Sequence, residues 1–165
     1  DNKDIAKVWA AALKAGAAQG IEPCGLGARD SLRIEACMPL YGHELDDETS
    51  ALEAGLGFFV KLDKPAMNGM ERLQRERSDG PSRKMVCLEL LDRGIPRQGY
   101  AILAEGRPVG AVTSGLLSPT LDKAIGMGFV PAAHAALGTE LAVDIRGRAV
   151  PARVVKRPFY RRAEG

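Results

Sequence analysis

One carboxylate, Glu35, stands among apolar residues in the segment GARDSLRIEACMPLYG, residues 27–42. The apolar spacing predicts a helix from about Ala28 to Cys37, and Pro39 ends it because proline disfavours helical geometry in the residue before it. On a helical wheel, Glu35 shares the face expected to pack inward with three apolar residues, Ala28, Leu32 and Ala36. A buried carboxylate either takes up a proton or finds hydrogen-bond donors. The sequence therefore predicts a specific partner for Glu35.

That partner is expected from a distant part of the chain or from a ligand. Arg29 and Arg33 are the nearest basic residues, but the wheel points them outward with Asp30, away from the face of Glu35. One interpretation is an internal ion pair with a remote Arg or Lys. The other is a ligand with adjacent N–H donors, which a carboxylate accepts through both oxygens as a fork. A 2-amino-4-oxo-pterin ring presents such a pair of donors.

Other short motifs do not reach a known catalytic pattern. HELDD, from His43, lacks the second histidine of the H-E-x-x-H zinc motif. GLGARD lacks the third glycine of the dinucleotide-binding motif and the lysine of a P-loop. Ser114, in VTSGLLS, lacks the upstream glycine of a nucleophile elbow, so it and its threonine neighbour are expected to satisfy backbone groups at a strand end. The acidic run at 46–48 is interpreted as a solvated helix start. No metal site and no catalytic residue is predicted in the chain.

The three cysteines, Cys24, Cys37 and Cys87, form no C-x-x-C pair. Their odd number fits a reducing compartment better than a disulfide scaffold. They are expected to be small buried apolar residues.

Composition narrows the class of protein. The chain has 165 residues, of which 45% are hydrophobic and 27% charged, as in a globular protein with one large or two small domains. No run approaches the roughly 20 apolar residues that span a bilayer. The net charge of +2 does not indicate a nucleic-acid partner. However, basic residues concentrate after Gly80 and end in KRPFYRR, residues 156–162, which is either a solvated tail or a contact for an anion.

The pattern of elements predicts an α+β fold. Helical periodicity covers 3–15, 28–37 and the segment NGMERLQRERSDGPSR, while a short helix and a strand-like run at Leu56–Val60 are expected between the last two. From Lys84 the period changes to two, and about six strands with turn signals at EGRP and IRGR indicate a small antiparallel β-barrel or sandwich. The pattern therefore divides the chain near residues 79–82 into a helical part, residues 1–81, and a β-barrel domain, residues 82–165.

Ordered motifs along nearly the whole chain resemble one family. These are GLGARDSLRIEACMPLYGHELDDETSALEAGLGFFVKLDK at 25–64, then GIPRQGY, VGAVTSGLLSPTLDKAIGMGFVP and RGRAVPARVVKRPFY. The chain resembles the C-terminal half of the glycine cleavage system T protein, the aminomethyltransferase. The resemblance implies that residues 1–81 are the C-terminal portion of a tetrahydrofolate-binding region and that residues 82–165 are the C-terminal β-barrel domain, within a three-domain protein.

The family's activity follows as an expectation. It implies transfer of a methylene group from the aminomethyl-lipoyl arm of the H protein to tetrahydrofolate, with release of ammonia. The expected partners are therefore the lipoylated H protein and tetrahydrofolate, with no nucleic acid and no membrane. The family's catalytic aspartate lies in its N-terminal half, which nothing here matches, so the chain is interpreted as a fragment that does not catalyse alone.

By position, the resemblance assigns two folate-binding residues, Glu35 and Lys64. Lys64 stands where the family places a basic residue near the folate, although a lysine lacks the planar fork of an arginine. The basic end, Lys156, Arg157, Arg161 and Arg162, lies near another folate contact of the family, without one residue being singled out.

Two alternatives stay open on the sequence. One is the folate-binding portion of a dimethylglycine or sarcosine dehydrogenase, in which a flavin domain precedes this part. The other is a non-catalytic folate-binding or assembly module. The expected compartment is the cytoplasm, or the mitochondrial matrix in a eukaryote.

Overall fold

The computed structural model describes residues 2–162, which form two compact units divided after Asp30. Three α-helices precede the strands: α1 (Ile5–Gly16), α2 (Leu26–Glu35) and α3 (Met70–Asp79). Within the first unit, α1 carries an apolar stripe whose members Ile5, Val8 and Trp9 are all more than half exposed. Among the described residues, no helix is both long and apolar enough to cross a membrane.

The second unit is built around six antiparallel strands: β1 (Arg83–Leu90), β2 (Ala101–Ala104), β3 (Arg107–Ser118), β4 (Lys123–Pro131), β5 (Glu140–Ile145) and β6 (Arg148–Val155). They close into a barrel in the order β1-β4-β3-β2-β5-β6, and β1 pairs with β6 to complete it. The predicted α+β class with a small antiparallel barrel is confirmed.

Strand β1 is buried on both faces, and its period of two separates two cores. Val86, Leu88 and Leu90 point into the barrel, where the interior is almost entirely aliphatic. Met85 and Cys87 point outward into a second cluster, which also contains Ile34 at the end of α2, Ala54, and three residues of β4. This second core packs the end of α2 and the turns that follow it against the outer face of β1 and β4.

The segment between α2 and α3 differs from the sequence expectations. Residues 46–56 form bends and turns rather than a short helix, although the Asp46 carboxylate accepts hydrogen bonds from the backbone N–H groups of Glu48 and Thr49 as a helix cap would. The strand-like run at Leu56–Val60 contains a 3-10 helix, Gly57–Phe59, whose two phenylalanines are largely exposed. The strand prediction at this position was wrong, since apolar content alone does not separate a strand from an exposed turn.

Candidate functional site

Glu35 is the last residue of α2 and is only 4% exposed. Its Oε1 atom accepts two hydrogen bonds, one from the hydroxyl of Ser118 and one from the backbone N–H of Thr120 at 3.2 Å. Ser118 is fully buried at the end of β3 and also accepts a hydrogen bond from the N–H of Leu121 at 3.0 Å. The donors come from a distant part of the chain, as expected, but they are a hydroxyl and an amide rather than a cation.

These contacts keep Glu35 ionised. Burial by itself raises the pKa of the carboxyl group, but the hydrogen bonds from Ser118 and Thr120 outweigh it, and the net pKa lies below the ordinary value. The Thr120 side chain also donates to this carboxylate, and every buried side-chain oxygen and nitrogen of the described residues has a partner. Oε1, which accepts from both the Ser118 hydroxyl and the Thr120 N–H, has no further lone pair to offer a ligand.

The basic C-terminal segment runs directly past Glu35. The backbone N–H of Tyr160 donates to the carbonyl oxygen of Glu35 at 3.0 Å. Arg157 is exposed, and its Nη2 atom donates to the carbonyl oxygen of Gly55 at 3.3 Å. The fold thus brings the 156–162 segment, an ambiguous feature of the sequence, to the backbone of the residue that the sequence singled out.

Lys64 is not brought to Glu35 by contacts within the described part of the chain. It is exposed, and no hydrogen bond or ion pair links it to a described residue. Two cavities lie elsewhere on the barrel, and Glu35 lines neither of them. One, beside Asp92–Gly94, has a volume of about 710 Å³, and the other, beside His43 and Arg83, has a volume of about 580 Å³. Within residues 2–162, no group of three or more His, Cys, Asp or Glu side chains is placed to hold a metal ion.

The helical wheel assigned the faces of α2 incorrectly. Leu32 is 69% exposed and Ala36 is also exposed, whereas Arg33, expected to point outward, is 8% exposed. Arg33 Nη1 lies 3.1 Å from Oε2 of the fully buried Glu44. Its Nη2 donates to the hydroxyl of Ser114 at 2.9 Å, so Ser114 does not serve the backbone as expected.

Glu44 is the centre of a polar network that sequence reasoning missed. The hydroxyl of Thr113 donates to its Oε1 at 2.6 Å, and the backbone N–H of Leu40 donates to its Oε2 at 3.1 Å. His43 Nδ1 lies 3.0 Å from the carbonyl oxygen of Thr113. The network fastens the turn after α2 to β3, and in this way it helps to fix the position of Glu35.

One signal for the two serine contacts was present in the sequence. Ser114 and Ser118 are an even number of residues apart on one strand, so their side chains share a face. The bulge in β3 lies before Ser114 and does not disturb this relation. Consequently Ser114 meets Arg33 and Ser118 meets Glu35 on the same side of the barrel.

Family models match both parts of the chain. Residues 1–64 match the GCVT N-terminal domain, and residues 83–161 match the glycine cleavage T-protein C-terminal barrel domain. The second match coincides with the strands of the closed barrel.

Individual relatives are similar over almost all of the chain. An aminomethyltransferase of Symbiobacterium thermophilum is 56% identical to this chain, and the match covers 96% of this chain and 43% of the relative. An aminomethyltransferase of Geobacillus kaustophilus is 53% identical, and the match covers 98% of this chain and 45% of the relative. The crystal structure of glycine cleavage system aminomethyltransferase T from Bartonella henselae superimposes with a TM-score of 0.87 at 33% identity, over 94% of this chain and 44% of that one. The chain thus spans less than half the length of the relatives it matches. Because models of both parts, close relatives and a solved structure agree, the chain belongs to the glycine cleavage T-protein family.

Proposed function

We propose that the chain is the C-terminal part of an aminomethyltransferase. The whole protein would transfer a methylene group from the aminomethyl-lipoyl arm of an H protein to tetrahydrofolate and release ammonia. The relatives named aminomethyltransferase support this activity. The observation that carries it within the chain is Glu35, a buried and ionised carboxylate that donors from the barrel hold in place.

Glu35 is proposed to bind the pterin ring of the folate. Because Ser118 and Thr120 take up the lone pairs of Oε1, the contact is expected through Oε2 rather than through a two-oxygen fork. A hydrogen bond between a carboxylate and an N–H donor is charge-assisted and hence stronger than a neutral one. The buried donors hold the carboxylate in place before the ligand arrives, which reduces the ordering cost of binding.

Lys64 and the basic segment at 156–162 are proposed to supply positive charge to the anionic part of the folate. Arg157 is an exposed cation in this segment, and the segment is fastened beside Glu35 by Tyr160. Residues 1–81 would then contribute to the folate-binding region and residues 82–165 would form the barrel domain that buttresses it.

The catalytic carboxylate and the remaining walls of the folate site are proposed to lie in sequence outside this chain. The lipoylated H protein would be the partner, and the cytoplasm the compartment in a bacterium such as those of the relatives. No observation on the chain favours a flavin-linked dehydrogenase.

Titration of tetrahydrofolate into the full-length protein by calorimetry tests the assignment. Glu35→Gln should weaken the binding roughly tenfold or more, because a charged hydrogen bond is worth about 1.5–3 kcal/mol. Glu53→Gln is a matched control, since Glu53 is also a buried carboxylate but is bound to Arg83 at 2.9 Å and Arg72 at 3.3 Å. Equal affinities for the wild-type protein and Glu35→Gln would remove Glu35 from the site.

The reaction itself is tested by adding the aminomethylated H protein and measuring ammonia. Ammonia release that depends on tetrahydrofolate supports the proposal. Folate binding without ammonia release would indicate a binding module instead.

A further inference from the structure

Two buried thiols that the folate site does not use lie in contact with each other. The Sγ atoms of Cys37 and Cys87 are 3.0 Å apart, although the residues are separated by 50 positions. A disulfide has an S–S distance of about 2.05 Å, so a shift of roughly 1 Å would bring the two sulfurs to bonding distance. Both cysteines are free thiols in the structure.

The backbone fixes this pairing from both sides. Cys37 follows α2 in a left-handed conformation, with φ of 54°, and its N–H donates to the carbonyl oxygen of Ile34 at 2.9 Å. Cys87 lies in the middle of β1, paired with Met127 on one side and Val155 on the other. Neither sulfur therefore depends on a mobile loop for its position.

The surroundings of the two sulfurs are not equivalent. The backbone N–H of Phe159 donates to Cys37 and not to Cys87, whereas the positive charge of Arg157 acts on both sulfurs and either S–H can donate in the bond between them. The bond with Cys87 is the main reason that the pKa of Cys37 falls below its ordinary value, and burial opposes it. The pKa of Cys87 is raised by its bond with Cys37 and by burial. The directions of the two shifts make Cys37 the more readily ionised sulfur of the pair.

Cys37 is also the more accessible member. It lines an open cavity of about 200 Å³ together with Arg157 and Pro158. This volume is sufficient for a molecule slightly larger than water. Cys87 is 2% exposed against 8% for Cys37, and it lines a separate cavity of about 390 Å³ that Arg157 also borders.

We propose that Cys37 and Cys87 form a peroxide-reactive dithiol site, with Cys37 as the attacking sulfur and Cys87 as the resolving one. The Cys37 thiolate attacks one oxygen of hydrogen peroxide, the O–O bond breaks, and hydroxide leaves with a Cys37 sulfenic acid behind. The Cys87 sulfur then attacks the Cys37 sulfur, its proton goes to the departing hydroxyl, and water is released. In total, two thiols and one peroxide give one disulfide and two waters.

Oxidation would tie the chain after α2 covalently to β1, two residues from Glu35. The site is independent of the folate assignment, because neither sulfur contacts the Glu35 carboxylate within residues 2–162.

Peptide mapping of the full-length protein tests the proposal. The reduced protein is treated with hydrogen peroxide, quenched with catalase, denatured, alkylated with N-ethylmaleimide and digested with trypsin. We expect a disulfide-linked pair of peptides, residues 34–61 and 85–93, while Cys24 in peptide 15–29 remains alkylated. Alkylation of both Cys37 and Cys87 after peroxide, or faster oxidation of the exposed Cys24, would overturn the proposal.

Single variants assign the roles. Cys87→Ser should accumulate a Cys37 sulfenic acid that dimedone traps, whereas Cys37→Ser should give no dimedone adduct on Cys87. Cys24→Ser is the matched control and should form the linked peptides at the wild-type rate. Mapping of the wild-type protein decides the proposal even if a core variant folds poorly.

Discussion

The Ser118 hydroxyl, at the end of β3, donates a hydrogen bond to the Glu35 carboxylate, at the end of α2, across 83 positions of sequence. A carboxylate of the proposed folate site is therefore held by the barrel and not by its own helix. On the proposed assignment, the barrel domain contributes to the folate site by holding this carboxylate.

Acid should weaken the protein partly through Glu35. The folded-state pKa of this group is lowered from 4.5, so its carboxylate stabilises the fold above pH 4.5, and this contribution is lost as the pH falls through the lower folded value. Glu35→Gln should cost about 1–2 kcal/mol at pH 7, with the difference from wild type shrinking below pH 4.5. Urea unfolding at several pH values measures this. A difference that is constant with pH would contradict it.

Removing Arg33 should be strongly destabilising. Arg33→Met leaves the fully buried Glu44 without its cation, and breaking a buried pair costs about 3–5 kcal/mol. Arg33→Met combined with Glu44→Gln should recover part of the loss, because no charge then stays buried and unpaired. Urea unfolding of the two single variants and the double variant gives the coupling energy.

An exposed pair provides the control for this cycle. Arg153 lies 3.3 Å from Glu140, with both side chains well exposed, so Arg153→Met should change the free energy of unfolding by no more than about 1 kcal/mol. If Arg33→Met cost no more than this control, the buried network would not stabilise the fold.

Gly128 in β4 is expected to tolerate no side chain. A Cβ atom there would lie 2.5 Å from the carbonyl oxygen of Ala111 and 2.7 Å from Cδ1 of the fully buried Ile102. Gly128→Ala should therefore cost about 1–3 kcal/mol by overpacking. Gly27→Ala on α2 is the control: no atom lies within 4 Å, and alanine favours a helix by up to about 1 kcal/mol. Thermal unfolding of both variants separates the two effects, and equal melting temperatures would refute the packing argument.

Alanine substitutions at two glycines of similar backbone conformation separate the effect of backbone strain from the effect of displacing Arg157. Gly55 and Gly42 have φ of 72° and 86°, so alanine at either should cost about 1–2 kcal/mol. Only at Gly55 would the new Cβ meet the guanidinium of Arg157. Gly55→Ala should therefore move this charge and raise the pKa of Cys37, whereas Gly42→Ala should not. The pH dependence of Cys37 alkylation measures the shift, and identical profiles would contradict it.

The barrel could be predicted from sequence because its strands obey one local rule. In β1, alternate residues face the barrel interior, and Val86 and Leu88 follow this period without exception. Both faces are nevertheless apolar, since Met85 and Cys87 face the second core. The six strands and the α+β class follow from such patterns. The pairing of β1 with β6, which closes the barrel, is a long-range contact and cannot be predicted from a local pattern.

The site was predicted only in part, for a physical reason. The need of Glu35 for a partner follows from burial of a charge, and this holds in any fold. The inward-facing side of α2 cannot be predicted in this way. Arg33 is buried because it pairs with Glu44, whereas a helical wheel based on hydrophobicity places an arginine on the outside. The distant donors Ser118 and Thr120 meet Glu35 only once the barrel has formed.

Because the barrel is closed, the protein is expected to be sensitive to truncation of the chain before β6. Strand β6 is hydrogen-bonded to both β1 and β5, so each of the six strands has a neighbour on either side. A product ending after Ile145 would leave two strands with unsatisfied backbone groups, and such edges recruit other chains. Premature termination in this region is therefore expected to yield insoluble aggregates rather than a smaller working protein.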